Sequence, residues 1–298
     1  MRVSTGLTVA ISIAIVAALG ATLFLPKQTS LSGPVCLNTR DQSGRYVRVP
    51  EGSFIKGAGA VYSEEGQPVK LHVAGFLIDR SEVTNDQFAA FVAETGYVTE
   101  AEINGGSAQF VQTATPRDLL TWWKLDPSAT WRTPAGEGSD TKGMGAFPVV
   151  HVSLIDARAY ARWAGARLPS EVEWEYAASL GLADPDNPLS GAVAADGRPL
   201  ANIWNGLFPV INTLEDGFRG LAPVGCYPVS RIGTYDMIGN AWEWTETPFG
   251  DGSPQFTIKG GSFLCSDSYC RRFRAAARES LEPDFSTAHV GFRTVKDR

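Results

Sequence analysis

The sequence has few charged residues and very few histidines. Asp, Glu, Lys and Arg make up 19% of its 298 residues, too few for a long coiled coil or a disordered chain. The net charge of -6 comes without a basic stripe, so nucleic acid is not an expected partner. Only 3 histidines are present, and none lies at ligand spacing from a cysteine, which argues against a structural zinc site.

Glycine, proline and tryptophan are plentiful by comparison. The 31 glycines, 18 prolines and 8 tryptophans predict a compact, loop-rich domain with aromatic clusters instead of a helix bundle. No internal repeat and no low-complexity tract interrupts the chain. Residues 46–298 are therefore predicted to form one large folded domain, preceded by a polar linker over 31–45.

The N-terminus carries one long apolar run, Leu7–Leu25. At ~1.5 Å rise per residue, a helix over this run nearly matches a hydrocarbon layer of ~30 Å. The run predicts a signal-anchor with a transmembrane segment over 7–25, or a cleaved signal peptide, within residues 1–30. Both alternatives predict an exported protein. As a signal-anchor it would be bound to the membrane through this segment, facing the periplasm or another extracytoplasmic side, or the ER lumen in a eukaryote.

Three helices have explicit start signals, each a capping box of Ser or Thr with a partner three residues later. They are Thr84 with Gln87, Ser153 with Asp156, and Ser170 with Glu173, with predicted ends at Gly96, Gly165 and Gly181. In the second helix, a core-facing stripe is predicted from Ile155, Ala159, Tyr160 and Trp163. Strands are predicted over 46–49, near 54–56 and over 69–78, because these stretches are rich in β-branched and aromatic residues.

The stretch 181–222 is rich in Gly, Pro, Asp and Asn and has no clear periodicity. Compact domains seldom contain so long a segment without something that orders it. A bound cation is one way to order this segment, because it neutralises carboxylates and accepts main-chain carbonyls as ligands.

Two of the four cysteines, Cys265 and Cys270, lie close together in KGGSFLCSDSYCRRFRAA. Residues five apart point to opposite faces of a strand and lie ~140° apart on a helix, so their thiols can meet only across a turn. The intervening residues Ser266, Asp267 and Ser268 are of types that favour turns. The residues alone leave three alternatives open, namely a structural disulfide, a redox-active or metal-binding pair, and two unpaired thiols. If the pair binds a metal, two soft thiolates favour Cu(I).

The chain resembles the formylglycine-generating enzymes, also called sulfatase-modifying factors, over about 46–293. The resemblance is carried by separate blocks, of which RLPSEVEWEYAA and GNAWEW are typical of the wider superfamily and therefore of the fold. The block with both cysteines is more specific, because relatives that are not oxidases generally lack that pair. The implied fold is an irregular α+β architecture, related to C-type lectins and low in regular secondary structure.

The resemblance implies that residues 46–298 are a catalytic domain. The implied enzyme is a copper-dependent oxidase that uses O2 to convert a cysteine of a sulfatase polypeptide, within Cys-x-Pro-x-Arg, to Cα-formylglycine. The residues that match the catalytic site are Cys265 and Cys270, which would bind Cu(I), with Ser262 and Trp242 beside them. One implied Ca2+ site matches Asn202, Ile203, Asp216 and Phe218, and a second matches Asp236, Gly239, Ala241 and Glu243.

The chain also departs from the family pattern. His289 occupies a position in the substrate groove that is Asn in some members, so the identity of the target protein stays open. Two alternative functions are a non-catalytic lectin-like binding module and a related oxidase that matures a different exported substrate. Cys36 and Cys226 lie outside the catalytic block and are predicted to pair, against two free thiols or an intermolecular bond through Cys36.

Overall fold

The computed structural model describes residues 36–38, 44–112, 122–182, 184, 187 and 189–298. It has four α-helices and eleven short strands within these ranges, which confirms an α+β fold with little regular secondary structure. The helices are α1 Asn85–Thr95, α2 Glu100–Asn104, α3 Leu154–Trp163 and α4 Glu171–Gly181. The strands are β1 Tyr46–Val49, β2 Gly52–Lys56, β3 Val69–Val73, β4 Phe76–Asp79, β5 Ser107–Phe110, β6 Trp123–Asp126, β7 Trp242–Pro248, β8 Phe256–Lys259, β9 Arg278–Leu281, β10 Val290–Gly291 and β11 Val295–Lys296.

The strands form two small sheets and two hairpins. One sheet has the order β1-β4-β11, and the other has the order β10-β7-β8-β9 with β10 parallel to β7. The hairpins pair β2 with β3 and β5 with β6. Because the sheet β1-β4-β11 joins the first strand to the last, the two ends of the described domain are tied together.

The helix predictions are confirmed at their N-termini. Thr84, Ser153 and Ser170 each accept a hydrogen bond from the backbone N–H three residues later, and the reciprocal side-chain bond is present in each case. Gly96 ends α1 in the left-handed conformation, at φ 68°. Helices α1 and α3 pack in a buried cluster that includes Phe88, Tyr160 and Phe292, and α4 packs in a second cluster that includes Trp174.

Two sequence predictions are wrong in detail. The predicted strand over 69–78 is two strands, because the chain leaves the β2-β3 hairpin at Ala74 and Gly75 before it joins the sheet β1-β4-β11. Ile155 is exposed, not part of the core, and the buried face of α3 is formed instead by Leu154, Ala157, Tyr160 and Ala161.

The predicted location at a membrane is also corrected. No helix within the described ranges is long and apolar enough to cross a membrane. The longest described helices have 11 residues, so at ~1.5 Å per residue they extend over about half of a ~30 Å hydrocarbon layer. The segment 7–25, on which the anchor prediction rested, lies outside the described residues.

The structure confirms that Cys36 and Cys226 form a disulfide. The bond ties residues 36–38 to the loop around Cys226, and Leu37 reinforces it by donating its N–H to the Gly225 carbonyl at 3.1 Å. Between α4 and β7 no helix or strand longer than an isolated bridge occurs among the described residues, as the composition of this segment predicts.

Candidate active site and cation sites

Cys265 and Cys270 face each other across a tight hairpin turn. Ser266 and Cys270 form an antiparallel bridge in which each backbone N–H donates to the other's carbonyl, at 3.1 and 2.9 Å. The two Sγ atoms lie 3.4 Å apart and both thiols are free, whereas a disulfide would place them at ~2.05 Å. The turn therefore brings together a vicinal pair of unbonded thiols.

The turn is held in place by the loop at 204–208. Trp204 donates its backbone N–H to the Cys265 carbonyl at 2.9 Å. The Ser268 hydroxyl donates to the Gly206 carbonyl at 3.1 Å and accepts from the Phe208 N–H at 3.1 Å. Because these bonds join the turn to the backbone of the loop, the position of the thiols depends on the position of this loop.

The two thiols differ in acidity. The hydrogen bond from Cys265 lowers the pKa of Cys270 to about 7, assisted by the backbone N–H and the guanidinium of Arg272. Burial, with 2% of the residue exposed, raises the pKa of Cys265 well above its usual range. Near neutral pH the arrangement is therefore a Cys270 thiolate that accepts a hydrogen bond from a Cys265 thiol.

The arginines after Cys270 pair with acidic residues instead of standing free. Arg271 bonds to Asp267 at 3.0 Å, Arg272 bonds to Glu64, and Arg274 forms a buried ion pair with Glu65. Both glutamates belong to the connection between β2 and β3, residues 57–68. No local sequence pattern indicates these glutamate partners, because they lie about 200 residues before the arginines.

Tyr62, in the same connection, was not predicted as a site residue. Its hydroxyl accepts the backbone N–H of Arg271 at 3.2 Å, and its ring centroid lies 4.3 Å from the Arg272 guanidinium carbon. Tyr62 thus contacts the two residues that follow Cys270. An isolated tyrosine in a loop has no local pattern that points to this role.

Ser262 and Trp242 lie in the buried surroundings of the thiols. The Ser262 carbonyl accepts the Cys265 N–H at 2.9 Å, and its hydroxyl accepts the Leu264 N–H at 3.2 Å. Trp242 begins β7, belongs to the same buried cluster as Cys265, and donates its N–H to the His289 carbonyl at 2.9 Å. Ser262 therefore shapes the entry to the hairpin, and Trp242 links the cluster around the thiols to the His289 segment.

An aromatic cluster flanks the thiol hairpin. Tyr269, between the two cysteines and 48% exposed, stacks on Phe208 at 4.8 Å and meets the edge of Trp122 at 5.3 Å. Phe208 in turn contacts Trp204 at 5.1 Å. Tyr269 is consequently the exposed ring of an otherwise buried aromatic cluster beside the thiols, where the composition predicted aromatic clusters only in general.

His289 is held in one orientation near this surface. Its Nδ1 lies 2.5 Å from the Thr287 hydroxyl, and its ring packs against Trp123 at 4.7 Å. The close packing lowers the pKa of His289 to about 3, with a further contribution from His151. The imidazole is therefore neutral across the ordinary pH range.

The first predicted cation set offers oxygen atoms that have no counter-ion among the described residues. The Asn202 side chain is 1% exposed and donates to the Gly220 carbonyl and to Asn240 Oδ1, which leaves its own Oδ1 buried with no hydrogen bond. Asp216 accepts the backbone N–H groups of Ile203 and Phe218, and burial raises its pKa to about 6. An orphaned amide oxygen beside a buried carboxylate fits the ligand preference of Ca2+.

The second predicted set fits less well. Both carboxylate oxygens of Glu243 accept from the Arg293 guanidinium, at 2.6 and 2.7 Å, and one also accepts from Trp174 Nε1 at 2.7 Å. Asp236 accepts the Gly225 N–H at 2.6 Å. The turn that includes Gly239 and Ala241 lies against Asn202, since a side chain at Gly239 (φ 78°) would meet the Asn202 carbonyl at 2.4 Å. The two sets are thus adjacent, but the charge of the Glu243 carboxylate is already paired with Arg293.

In the part of the chain that the structure describes, no three His, Cys, Asp or Glu side chains converge to bind a metal. A metal at the hairpin would therefore rely on the two sulfur atoms, and a cation at the loops would rely on carboxylates supplemented by amide and main-chain oxygens. Soft thiolates favour Cu(I), and the oxygen sets favour Ca2+.

The comparisons with known proteins agree with this geometry. The sulfatase-modifying factor enzyme 1-like domain family matches residues 34–298. A formylglycine-generating enzyme of Thermomonospora curvata is 44% identical over 281 residues, covering 84% of this chain and 93% of that protein. The formylglycine-generating enzyme of Bos taurus is 40% identical over 279 residues, covering 85% of this chain and 75% of that protein.

Related proteins with other names are also similar. A mouse protein named inactive C-alpha-formylglycine-generating enzyme 2 is 37% identical over 266 residues, covering 85% of each chain. Among solved structures, PvdO from Pseudomonas aeruginosa matches with a TM-score of 0.59 and 22% identity, covering 85% of this chain and 94% of that chain. That likeness concerns the fold alone.

Proposed function

The chain belongs to the sulfatase-modifying factor family of formylglycine-generating enzymes, and on this premise we propose that it oxidises a cysteine of a sulfatase polypeptide to Cα-formylglycine with O2. Family membership alone does not decide activity. Among relatives of similar identity, one is named a formylglycine-generating enzyme and another is named an inactive one. The observation that carries the proposal is the pair of free thiols, Cys265 and Cys270, 3.4 Å apart in a supported turn.

The thiol pair is suited to bind Cu(I), the cofactor that we propose. Soft sulfur ligands select Cu(I), and the acidity of Cys270 provides one thiolate near neutral pH. Bound copper would supply the one-electron chemistry that lets O2 react with a thiol. The chain's own contribution is to hold both sulfurs in one turn, through the Ser268 and Trp204 contacts with the loop at 204–208.

The substrate peptide is proposed to lie on the aromatic surface beside the thiols. Tyr269, which is exposed and rests on the buried rings of Phe208 and Trp122, offers an apolar face where a proline-containing segment can pack. His289, neutral and bonded to Thr287, orients a polar group near the start of β10 without adding charge. The protein therefore positions the reacting cysteine and excludes water, which is a large part of catalysis when the cofactor carries the redox chemistry.

We propose two Ca2+ ions that order the loops beneath the hairpin. At the first site the orphaned Asn202 oxygen and the Asp216 carboxylate supply ligands, and main-chain oxygens of Ile203 and Phe218 complete it. The second is the site at Asp236, Gly239 and Ala241. Because Asn202 and Ile203 immediately precede Trp204, a cation at the first site would fix the loop that supports Cys265.

The activity is tested with the purified protein, Cu(I), O2, a thiol reductant and a Cys-x-Pro-x-Arg peptide. The reductant is needed because O2 accepts more electrons than the thiol-to-aldehyde oxidation supplies. Mass spectrometry should show the mass loss of aldehyde formation, and Cys265→Ser and Cys270→Ser should each abolish it while the circular dichroism spectrum stays that of the wild type. The double variant Cys36→Ser/Cys226→Ser, which removes two cysteines outside the turn and keeps both free thiols, is the matched control.

If either cysteine variant kept near-normal turnover, the dithiolate site would be wrong. Peptide binding without conversion, at saturating copper and reductant, would favour the lectin-like binding module instead. The calcium proposal has its own test, since a chelator should lower the melting temperature by several degrees if the native state binds Ca2+. A calcium content near zero in protein prepared with Ca2+ would sink it.

A further inference from the structure

Arg274 is a buried cation without an assigned role in the proposed activity. It is 3% exposed and lies four residues after Cys270, in the segment that leads from the thiol turn to β9. Its two terminal nitrogens bind both carboxylate oxygens of the buried Glu65, and one of them also donates to the Gly59 carbonyl at 2.9 Å. Desolvation offsets much of the attraction between two buried charges, so this pair matters mainly for the geometry that it fixes.

A closed ring of hydrogen bonds runs through Arg274. Its Nε–H donates to the Arg271 carbonyl at 2.6 Å, and the backbone N–H of Arg271 donates to the Tyr62 hydroxyl at 3.2 Å. The backbone N–H of Tyr62 donates to the Glu65 carboxylate at 3.3 Å, and Glu65 binds Arg274. The ring joins two segments 209 residues apart, and it holds both backbone groups of the residue that directly follows Cys270.

The ring and the thiol turn restrain Cys270 from two sides. Within the turn, the N–H and the carbonyl of Cys270 pair with Ser266, at 2.9 and 3.1 Å. After the turn, the N–H and the carbonyl of Arg271 are held by the ring. A shift of this second segment would change the 3.4 Å separation of the Sγ atoms of Cys265 and Cys270. Reacting and metal-binding groups lose much of their effect when they are misplaced by ~1 Å.

We propose that Arg274 is a positioning residue for Cys270 in the proposed oxidation, acting through the Arg271 carbonyl and held in place by Glu65. This inference rests on the proposed function, because it takes the two free thiols as the reacting site. The role requires arginine, since a planar guanidinium can bind a carboxylate through two nitrogens while its Nε–H donates in a third direction. Lysine carries all its donors on one nitrogen, so it cannot occupy the positions of all three.

The test compares Arg274→Lys with Arg45→Lys in the full chain. Arg45 is the matched control, because it also directs two nitrogens to a buried carboxylate, that of Asp79, at 2.6 and 3.1 Å, but at the start of β1. Urea unfolding should show a loss of stability in both variants, because each loses a bidentate ion pair. Peptide conversion should fall at least tenfold in kcat in Arg274→Lys and less than twofold in Arg45→Lys. KM should change little in either variant, because the exposed Tyr269 ring stays in place.

Cu(I) affinity, measured by competition with a chromogenic Cu(I) chelator, provides a second measurement that does not need turnover. Arg274→Lys should weaken Cu(I) binding at least tenfold, and Arg45→Lys should keep the wild-type affinity. Glu65→Gln keeps an acceptor for the Tyr62 N–H but loses the charge, should show the same losses, and replaces Arg274→Lys if that variant does not fold. Unchanged kcat and Cu(I) affinity in the Arg274 variant, or equal losses in both lysine variants, would overturn the inference alone. A wild type that neither binds Cu(I) nor converts peptide would overturn the proposed function, and the inference with it.

Discussion

Cys265 and Cys270 differ in acidity although their sulfur atoms are 3.4 Å apart. The buried Cys265 thiol donates to Cys270, and this bond is the largest cause of the lowered pKa of Cys270. A single proton is therefore held between two sulfur atoms, and the turn of Ser266–Ser268 keeps them together. At the scale of the residue, the hydrogen bond between the thiols decides which sulfur reacts first.

Alkylation of the metal-free protein should reveal this asymmetry. Cys270 should react with iodoacetamide along a pH profile with its midpoint near 7, because the thiolate fraction rises as pH rises through the pKa of about 7. In Cys265→Ala the donor is gone, so the midpoint should move upward toward the ordinary range of thiols. Peptide mapping by mass spectrometry measures both. An unchanged midpoint in Cys265→Ala would show that Arg272 alone sets the acidity.

His151 gives a pH-dependent contribution to stability. It is fully buried, bonds to Ser107 at 2.8 Å and to the Pro134 carbonyl at 3.0 Å, and burial lowers its pKa to about 4. The unfolded chain takes up this proton at ~6.5 and the folded protein only near 4. The contribution is therefore complete above pH ~6.5 and is lost as pH falls toward 4, up to ~3 kcal/mol.

The variant His151→Asn tests this contribution, since Asn tolerates the left-handed backbone of this position, φ 59°, and does not titrate. Urea unfolding between pH 7 and pH 4.5 should show the wild-type advantage over the variant shrinking as pH falls. Asp126 lies near His151, but the serine beside it lowers its pKa, so it stays ionised across this range. Its contribution to the pH dependence is therefore the same in the wild type and the variant. A constant difference across the range would contradict the assignment.

At the scale of elements, the sequence predicted the features that depend on residues close together in the chain, such as helix starts. The capping boxes at Thr84, Ser153 and Ser170 involve residues three apart, so each helix start is readable from the local sequence. The break at Ala74 and Gly75 was missed because it arises from the change of pairing partner between β3 and β4. Ile155 was assigned to the core because helical spacing fixes a face but not which neighbours cover it.

The same limit applies to the candidate site. A turn between Cys265 and Cys270 follows from their spacing, and the structure contains it. The support of that turn by Tyr62, by Glu64 and by the loop at 204–208 depends on contacts between segments far apart in the chain. The separation of these segments hides such contacts from any local pattern, and the bond between Glu243 and Arg293 is hidden in the same way.

The β2-β3 connection makes a testable contribution to the thiol turn. Tyr62→Phe removes the hydroxyl that accepts the Arg271 N–H, a bond worth about 1 kcal/mol, so the loss of stability should be small. Peptide conversion should nevertheless fall severalfold, because the backbone immediately after Cys270 loses a restraint. Turnover and urea unfolding are measured together.

Tyr46→Phe is the matched control for this prediction. It removes a comparable hydroxyl, bonded to Thr294 at 2.8 Å in the β1-β4-β11 region away from the thiols. The control should lose similar stability and keep its turnover. Equal effects of the two variants on turnover would mean that Tyr62 acts only through overall stability.

At the scale of the whole molecule, one loop connects the disulfide to both proposed cation sites. Cys226 bonds to Cys36, and its neighbours Gly225 and Tyr227 donate to the Asp236 carboxylate at 2.6 Å and to the Asp216 carbonyl at 3.0 Å. From Asp216 the contacts lead through Ile203 to Trp204 and the Cys265 carbonyl. The order of the irregular segment thus depends on restraints that come from distant parts of the chain.

The disulfide should therefore contribute strongly to global stability and little to the chemistry. It closes a separation of 190 residues, for which the chain-entropy model gives ~5 kcal/mol as an upper value. The double variant Cys36→Ser/Cys226→Ser should lose several kcal/mol in urea unfolding at saturating Ca2+. Its conversion of peptide at 25 °C should stay near that of the wild type, because both free thiols remain. Dithiothreitol should lower the stability of the wild type to that of the variant and leave the variant unchanged. Equal stability of the two proteins without reductant would show that residues 36–38 are held by contacts such as Leu37 with Gly225, and that the disulfide adds nothing to them.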